Sequence, residues 1–150
     1  MSKNERITEN IIRKKLKRVG ISELNGFLVE EQKSENPLII KLLKNSSKSG
    51  AGMGKPEFII TKSKDKDFVI VIECKPDISH HESKDKNKFR DFAVDGALLY
   101  ASYLSKEFNV IAVGASGQTE NSLKISTFYT LKEQQVLQNF VTKISILLII

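Results

Sequence analysis

Glu73 and Lys75 close the apolar stretch Phe68-Val69-Ile70-Val71-Ile72 and set a carboxylate and an amine two residues apart. On an extended strand alternate side chains share a face, so Phe68, Ile70, Ile72 and Cys74 project one way and Val69, Val71, Glu73 and Lys75 the other. The first face is apolar and belongs in a core. The second starts apolar and ends in a carboxylate and an amine, at the mouth of a sheet. A hairpin folded about Asp65 would set Glu57 opposite Glu73, each eight residues from the turn centre. Opposed residues lie about 4.5–5.5 Å apart, and two carboxylates at that separation repel until a proton or a cation neutralises them. A divalent ion is the natural cation. Mg²⁺ takes one or two carboxylates, keeps several waters and acidifies one of them. Lys75 on the same face could then orient or deprotonate that water and stabilise charge building on a phosphate.

The pattern Glu-x-Lys alone carries little, because it recurs at Glu31-Gln32-Lys33 and Glu82-Ser83-Lys84. Only Glu73-Cys74-Lys75 ends an apolar strand with an acid, in Pro56-Glu57-Phe58, before its partner. The alternative reading of the same residues is a cross-strand ion-pair cluster at a strand end, since exposed pairs of this kind are common.

Several elements must position these groups. Ile7, Ile11, Ile12, Leu16 and Val19 recur at helical spacing and predict a first helix that stops at Gly20. A second helix is predicted from a cap at Ser22 to about Lys33, and Asn36-Pro37 starts a short one through Leu43. The Ser- and Gly-rich run 45–54 reads as a loop. After Pro56 the period becomes extended, with strands at 58–61 and 68–75 joined through the polar stretch 62–67. A helix over 89–104 carries Phe92, Ala93, Gly96, Leu99, Tyr100 and Tyr103 on one stripe. Strands at 110–113 and 123–128 follow, then a last helix over 131–143. The fold class is α/β, a central mixed sheet of about four strands flanked by helices.

Composition bounds the answer. The chain has 150 residues, 40% of them hydrophobic, the size of one ordinary domain. No apolar run reaches membrane-spanning length, and the charged N-terminus is unlike a signal sequence, so a cytoplasmic protein without membrane contact is expected. A lone cysteine, Cys74, excludes an internal disulfide and a cysteine-rich zinc site, and its place on the core face makes it a small buried hydrophobe. The net charge of +6 is concentrated in the first 90 residues, which suits contact with nucleic acid phosphates and equally suits a solubilising surface. The terminus Ile146-Leu147-Leu148-Ile149-Ile150 either completes a buried element or marks a fragment whose apolar end meets a following domain.

With these residues in view the sequence resembles the PD-(D/E)XK nucleases, and more narrowly the N-terminal nuclease domain of fused restriction-methyltransferase proteins of type IIG. The resemblance rests on Thr8-Glu9-Asn10-Ile11-Ile12-Arg13, Glu31-Gln32-Lys33-Ser34, Ser47-Lys48-Ser49-Gly50, Gly54-Lys55-Pro56-Glu57-Phe58-Ile59-Ile60, Ile70-Val71-Ile72-Glu73-Cys74-Lys75 and Ala93-Val94-Asp95-Gly96-Ala97-Leu98-Leu99-Tyr100. It implies a Mg²⁺-dependent endonuclease, with Mn²⁺ as a substitute metal. Glu57 and Glu73 stand at the metal-binding acids and Lys75 at the catalytic lysine. Glu9 stands at an assisting acid on the first helix, Asp95 and Tyr100 at supporting positions, and Lys33, Ser47, Lys48 and Lys55 at positions for DNA contact. The first acid is Glu where many such proteins carry Asp. The implied partners are double-stranded DNA and methyltransferase and target-recognition domains on the same or another chain, with an oligomer possible. No methyltransferase motif occurs in these residues.

Other candidates are weaker. Asp95 among apolar neighbours needs a partner and is equally a core hydrogen-bonding group. His81, in the polar loop after Lys75, could meet phosphate or metal, although loop histidines are more often solvated. Gly50, Gly52 and Gly54 precede Lys55, but Pro56 stands where a phosphate-binding loop needs Ser or Thr. Gly114-Ala115-Ser116-Gly117 lacks the full nucleophile-elbow pattern. Two other classes compete with the nuclease: a DNA-binding module of the same fold without catalysis, and a protein-interaction domain whose charges are solvating.

Overall fold

The computed structural model describes residues 4–133. Helix α1 spans Glu5–Arg18, capped by Asn4, whose side chain accepts from the Arg6 N–H. It ends as expected, with Gly20 at φ +85°. Helix α2 spans Pro37–Leu43, with proline in its first turn and the Asn36 side chain accepting from the Leu38 and Ile39 N–H groups.

Strand β1 (Phe27–Glu30) replaces most of the helix predicted over 22–33. A short 3-10 turn at Glu23–Asn25 ends in Gly26 at φ +79°, a left-handed conformation that only glycine adopts freely, and the chain leaves it extended. Phe27 and Val29 then pack against the core while Leu28 faces out, a period of two that the helical reading overlooked.

Strands β2 (Phe58–Lys62), β3 (Asp65–Lys75), β4 (Asn109–Ser116) and β5 (Lys124–Thr130) complete a five-stranded sheet in the order β1-β2-β3-β4-β5. All neighbours are antiparallel except β3 and β4, which run parallel and are joined through helix α3 (Ala93–Leu104). The hairpin turns earlier than Asp65, pairing Lys62 with Asp65, and a bulge between Thr61 and Lys62 restores the expected register, with Phe58 opposite Ile72. Continued by one residue, that register sets Glu57 against Glu73.

The two faces of β3 divide as the alternation requires. Ile70, Ile72 and Cys74 join Phe58, Ile60, Val113 and Ala115 beneath Ile12 and Leu16 of α1. Val69 and Val71 join Ile59, Val110 and Ala112 beneath α2 and α3, where Tyr100 and Leu104 fill the layer. The result is a sheet with helices on both faces, consistent with a restriction-endonuclease-like fold. Helix α3 begins at Ala93, later than predicted, because residues 89–92 form a turn held by Lys88. Residues 131–133 are not helical, and the rest of the helix predicted over 131–143, with the apolar end 146–150, lies outside the described residues.

Helix α3 can lie this close to the sheet because of Gly114. A β-carbon there would stand 2.7 Å from the Val94 N and 2.8 Å from its Cα, and neither backbone atom can move without the helix. Gly114→Ala is therefore expected to lower unfolding free energy by about 1–3 kcal/mol in a urea titration. An unchanged midpoint would show that the α3–β4 contact yields freely.

Candidate active site

The carboxyl end of β3 brings together groups from four segments. Glu73 is fully buried on the α3 side of the sheet, and one of its oxygens, Oε1, is paired with the Lys48 ammonium from the 45–54 loop. The other, Oε2, meets no donor among the described residues. Burial first, and the negative charge of Glu57 second, hold the Glu73 carboxyl well above the ordinary carboxylate range, against the opposing pull of Lys48. Glu57 is itself buried, and its Oε2 accepts the Cys74 N–H at 3.2 Å.

Helix α1 crosses the strand end with its first turns. Thr8 Oγ1 donates to Gly117 O at 2.7 Å and lies 3.4 Å from Lys75 O, which fixes the helix to β3 and to the turn after β4. That docking carries Glu5 to Lys75, whose Nζ donates to Glu5 Oε1 at 3.0 Å and stands 3.9 Å from Glu73 Oε1. Glu9 follows one turn later. Burial, then the charge of Glu57, raise its carboxyl, while Arg13 opposes them through a 3.2 Å contact. Arg13 also pairs with Glu31 and lies over the Phe58 ring, so it ties α1 to the end of β1 and to the strand that follows Glu57.

Helix α3 closes the site from the other side. A β-carbon on Gly96 would stand 3.0 Å from Glu73 Cγ, so glycine is what lets the helix cover that carboxylate. Tyr100 is buried one turn on. Burial and the Glu73 charge push its phenol up, partly offset by a hydrogen bond with the Lys55 backbone. A β-carbon on Gly54 would strike Ser46 Oγ and Tyr100 Cε1, so the loop bearing Lys48 also approaches at glycine.

Glu57, Glu73, Lys75 and Glu9 thus gather at one end of the sheet, with Tyr100 behind them. Asp95 and His81 belong to a neighbouring network instead. Asp95 accepts from the Ser83 N–H and hydroxyl and from the Lys88 N–H, holding the 83–88 loop to α3. His81 bridges Ser116 and Ser126 at 2.8 and 2.9 Å, stitching β4 to β5; burial, then Lys124, lower its imidazole and favour the neutral form. Of the DNA-contact candidates, Lys33 and Lys55 are exposed beside a cleft of about 280 Å³ that they line with Gln32, Ile39, Leu43 and Met53. Ser47 is half-buried and hydrogen-bonds Ser49, while Lys48 points inward to Glu73. Sequence reasoning missed that last pairing, because no spacing rule links a loop lysine to a strand 25 residues away. It also missed Glu5, although Glu5 and Glu9 share a helix face at i and i+4.

Among the described residues no cluster of three or more His, Cys, Asp or Glu side chains is placed to ligate a metal. The opposed pair Glu57 and Glu73 does fit a hard divalent ion that takes one or two carboxylates and fills its other positions with water. The buried donor-less Oε2 is an unsatisfied acceptor that such an ion would satisfy.

One curated protein matches the chain well: a type II restriction enzyme and methyltransferase, RM.BcgI from Heyndrickxia coagulans, is 32% identical over 124 residues, covering 73% of this chain. The two proteins are distant homologues. The match covers 18% of that relative's length, so this chain corresponds to a small part of it. No family model and no solved structure matches the chain. Among the described residues no helix is long and apolar enough to cross a membrane.

The raised Glu73 carboxyl gives a stability test. A carboxyl raised in the fold contributes stability that is fully present below its unfolded value near 4.5 and is lost as pH rises through its folded value. Glu73→Gln is expected to be more stable than wild type at pH 7, with the advantage shrinking toward pH 4.5. Equal stability at both pH values would mean that Glu73 is not strained by its burial.

Proposed function

We propose that this chain is the DNA-cleaving domain of a restriction-modification protein, hydrolysing phosphodiester bonds with a divalent cation held by Glu57 and Glu73. The observation that carries the reading is the carboxylate pair at the β2–β3 end, buried at a cost that an inert domain has no reason to bear. Homology to a restriction enzyme and methyltransferase supports the same class of chemistry. Mg²⁺ suits an all-oxygen, two-carboxylate site, with Mn²⁺ as its substitute. Bound there, the ion would supply an acidified water and offset charge at phosphorus.

The chain's own residues do the rest. Lys75, steadied by Glu5, aims an ammonium at the volume in front of Glu73, where it can orient the attacking water and neutralise charge developing on the phosphate. Glu9 and Arg13 set the field around Glu57 from α1. Lys33 and Lys55 on the exposed rim meet the duplex backbone, with Ser47 as a neutral contact, and such contacts give position without sequence preference. Sequence choice then falls to target-recognition and methyltransferase partners, in cis or in trans, acting together in the cytoplasm. A second reading, a DNA-binding module of the same fold without catalysis, is favoured by one observation: Lys48 already neutralises Glu73.

A supercoiled plasmid distinguishes them. Nicking is expected in Mg²⁺ or Mn²⁺ and not in chelator, and Glu73→Ala or Lys75→Ala should each lower its rate by at least about a hundredfold, the scale of losing one transition-state charge contact. DNA binding without metal-dependent nicking in the wild type, or full activity in both variants, would overturn the nuclease reading.

A further inference from the structure

Lys48 lies in the wrong place for a residue that only touches DNA. Its ammonium is drawn in to Glu73 Oε1 and its side chain is 20% exposed, although a lysine on a Ser- and Gly-rich loop could reach water at little cost. The tip of the loop that carries it packs on nothing: Gly50 and Gly52 hold φ of +91° and +93°, a β-carbon on either would meet nothing within 4 Å, and the turn is closed by its own hydrogen bonds, from the Gly50 N–H to Ser47 O and from the Ser47 N–H to Gly52 O. At Gly54, where the loop re-enters the fold, contacts with Ser46 and Tyr100 anchor its far end. Lys48 is thus a cation carried on a surface loop with an open tip, placed on the carboxylate that the nuclease reading assigns to a metal.

We propose that Lys48 is a displaceable counter-ion. In the free protein it occupies the cation position at Glu73, and a divalent ion takes that position by releasing it. The freed ammonium is then positioned at the mouth of the site to bind a phosphate oxygen of the DNA, so loading of metal and of substrate favour one another. The inference rests on the metal-dependent reading above and adds to it a competitor within the chain. A divalent ion on Oε2 and an ammonium on Oε1 of the same buried carboxylate would repel at close range, and a buried carboxylate left without either cation is disfavoured, so exchange is the arrangement that keeps Glu73 neutralised throughout. Lys75 does not compete in the same way, because at 3.9 Å it is shared with Glu5.

The test is Mn²⁺ binding by calorimetry in the absence of DNA, on wild type, Lys48→Met, Lys48→Arg and Glu73→Ala. Lys48→Met should bind Mn²⁺ about tenfold more tightly than wild type, about 1.4 kcal/mol, while Lys48→Arg, which keeps the charge, stays near wild type. Glu73→Ala should lose binding. Unchanged or weaker affinity in Lys48→Met, with normal binding in wild type, would overturn the counter-ion role and leave the nuclease reading standing. Absence of binding in wild type and Lys48→Met alike would overturn both. A second measurement needs no variant: acylation of Lys48 in the wild type, followed by peptide mass spectrometry, should rise when Mn²⁺ is added while that of exposed Lys44 does not. Equal labelling of Lys48 with and without saturating Mn²⁺ would contradict displacement.

Discussion

Glu73 is a carboxylate with no exposure, one oxygen held by a loop lysine and the other without a donor. Burying a charge this incompletely satisfied is unfavourable, and the free energy that holds it there comes from the rest of the molecule. The central strand β3 is fixed on four sides, by β2, by β4 and by the apolar layers above and below. Its last residues have no freedom to swing the carboxylate into water. Helix α3 covers the site at Gly96 and is itself seated at Gly114, so two missing side chains set how closely Glu73 is enclosed.

The neighbouring polar groups arrange themselves around that constraint. Asp95, which accepts from Ser83 and Lys88, keeps the loop after β3 attached to α3. His81, neutral between two serine hydroxyls, locks the ends of β4 and β5, and Thr8 ties α1 to the backbone at Lys75 and Gly117. The consequence is a floor of packed, hydrogen-bonded elements with the glycine-rich loop bearing Lys48 as one wall. On the proposed reading, a fixed carboxylate pair beside a loop-borne cation lets one positive charge replace another when metal loads.

Much of this was legible in the sequence. Strict alternation across 68–75 assigned both faces of β3, and hairpin arithmetic paired Glu57 with Glu73 even though the turn lies elsewhere, because a bulge offsets the shift. The short strand β1 was not legible as a strand: four residues give too little alternation to outweigh a helical reading, and only Gly26 signalled the break. Asp95 and Glu73 are both acids in apolar surroundings, and local sequence cannot tell the one that finds three donors from the one that does not. The Lys48–Glu73 contact depends on loop closure, which no local pattern records.

The nuclease reading stands on the Glu57–Glu73 pair acting as a cation site. Anomalous diffraction from crystals soaked in Mn²⁺ tests it most directly. A peak is expected between the two carboxylates, with the Lys48 ammonium moved off Glu73. A map with no peak there and Lys48 still paired to Glu73 would contradict it, and would leave the strand end as an ion-pair cluster.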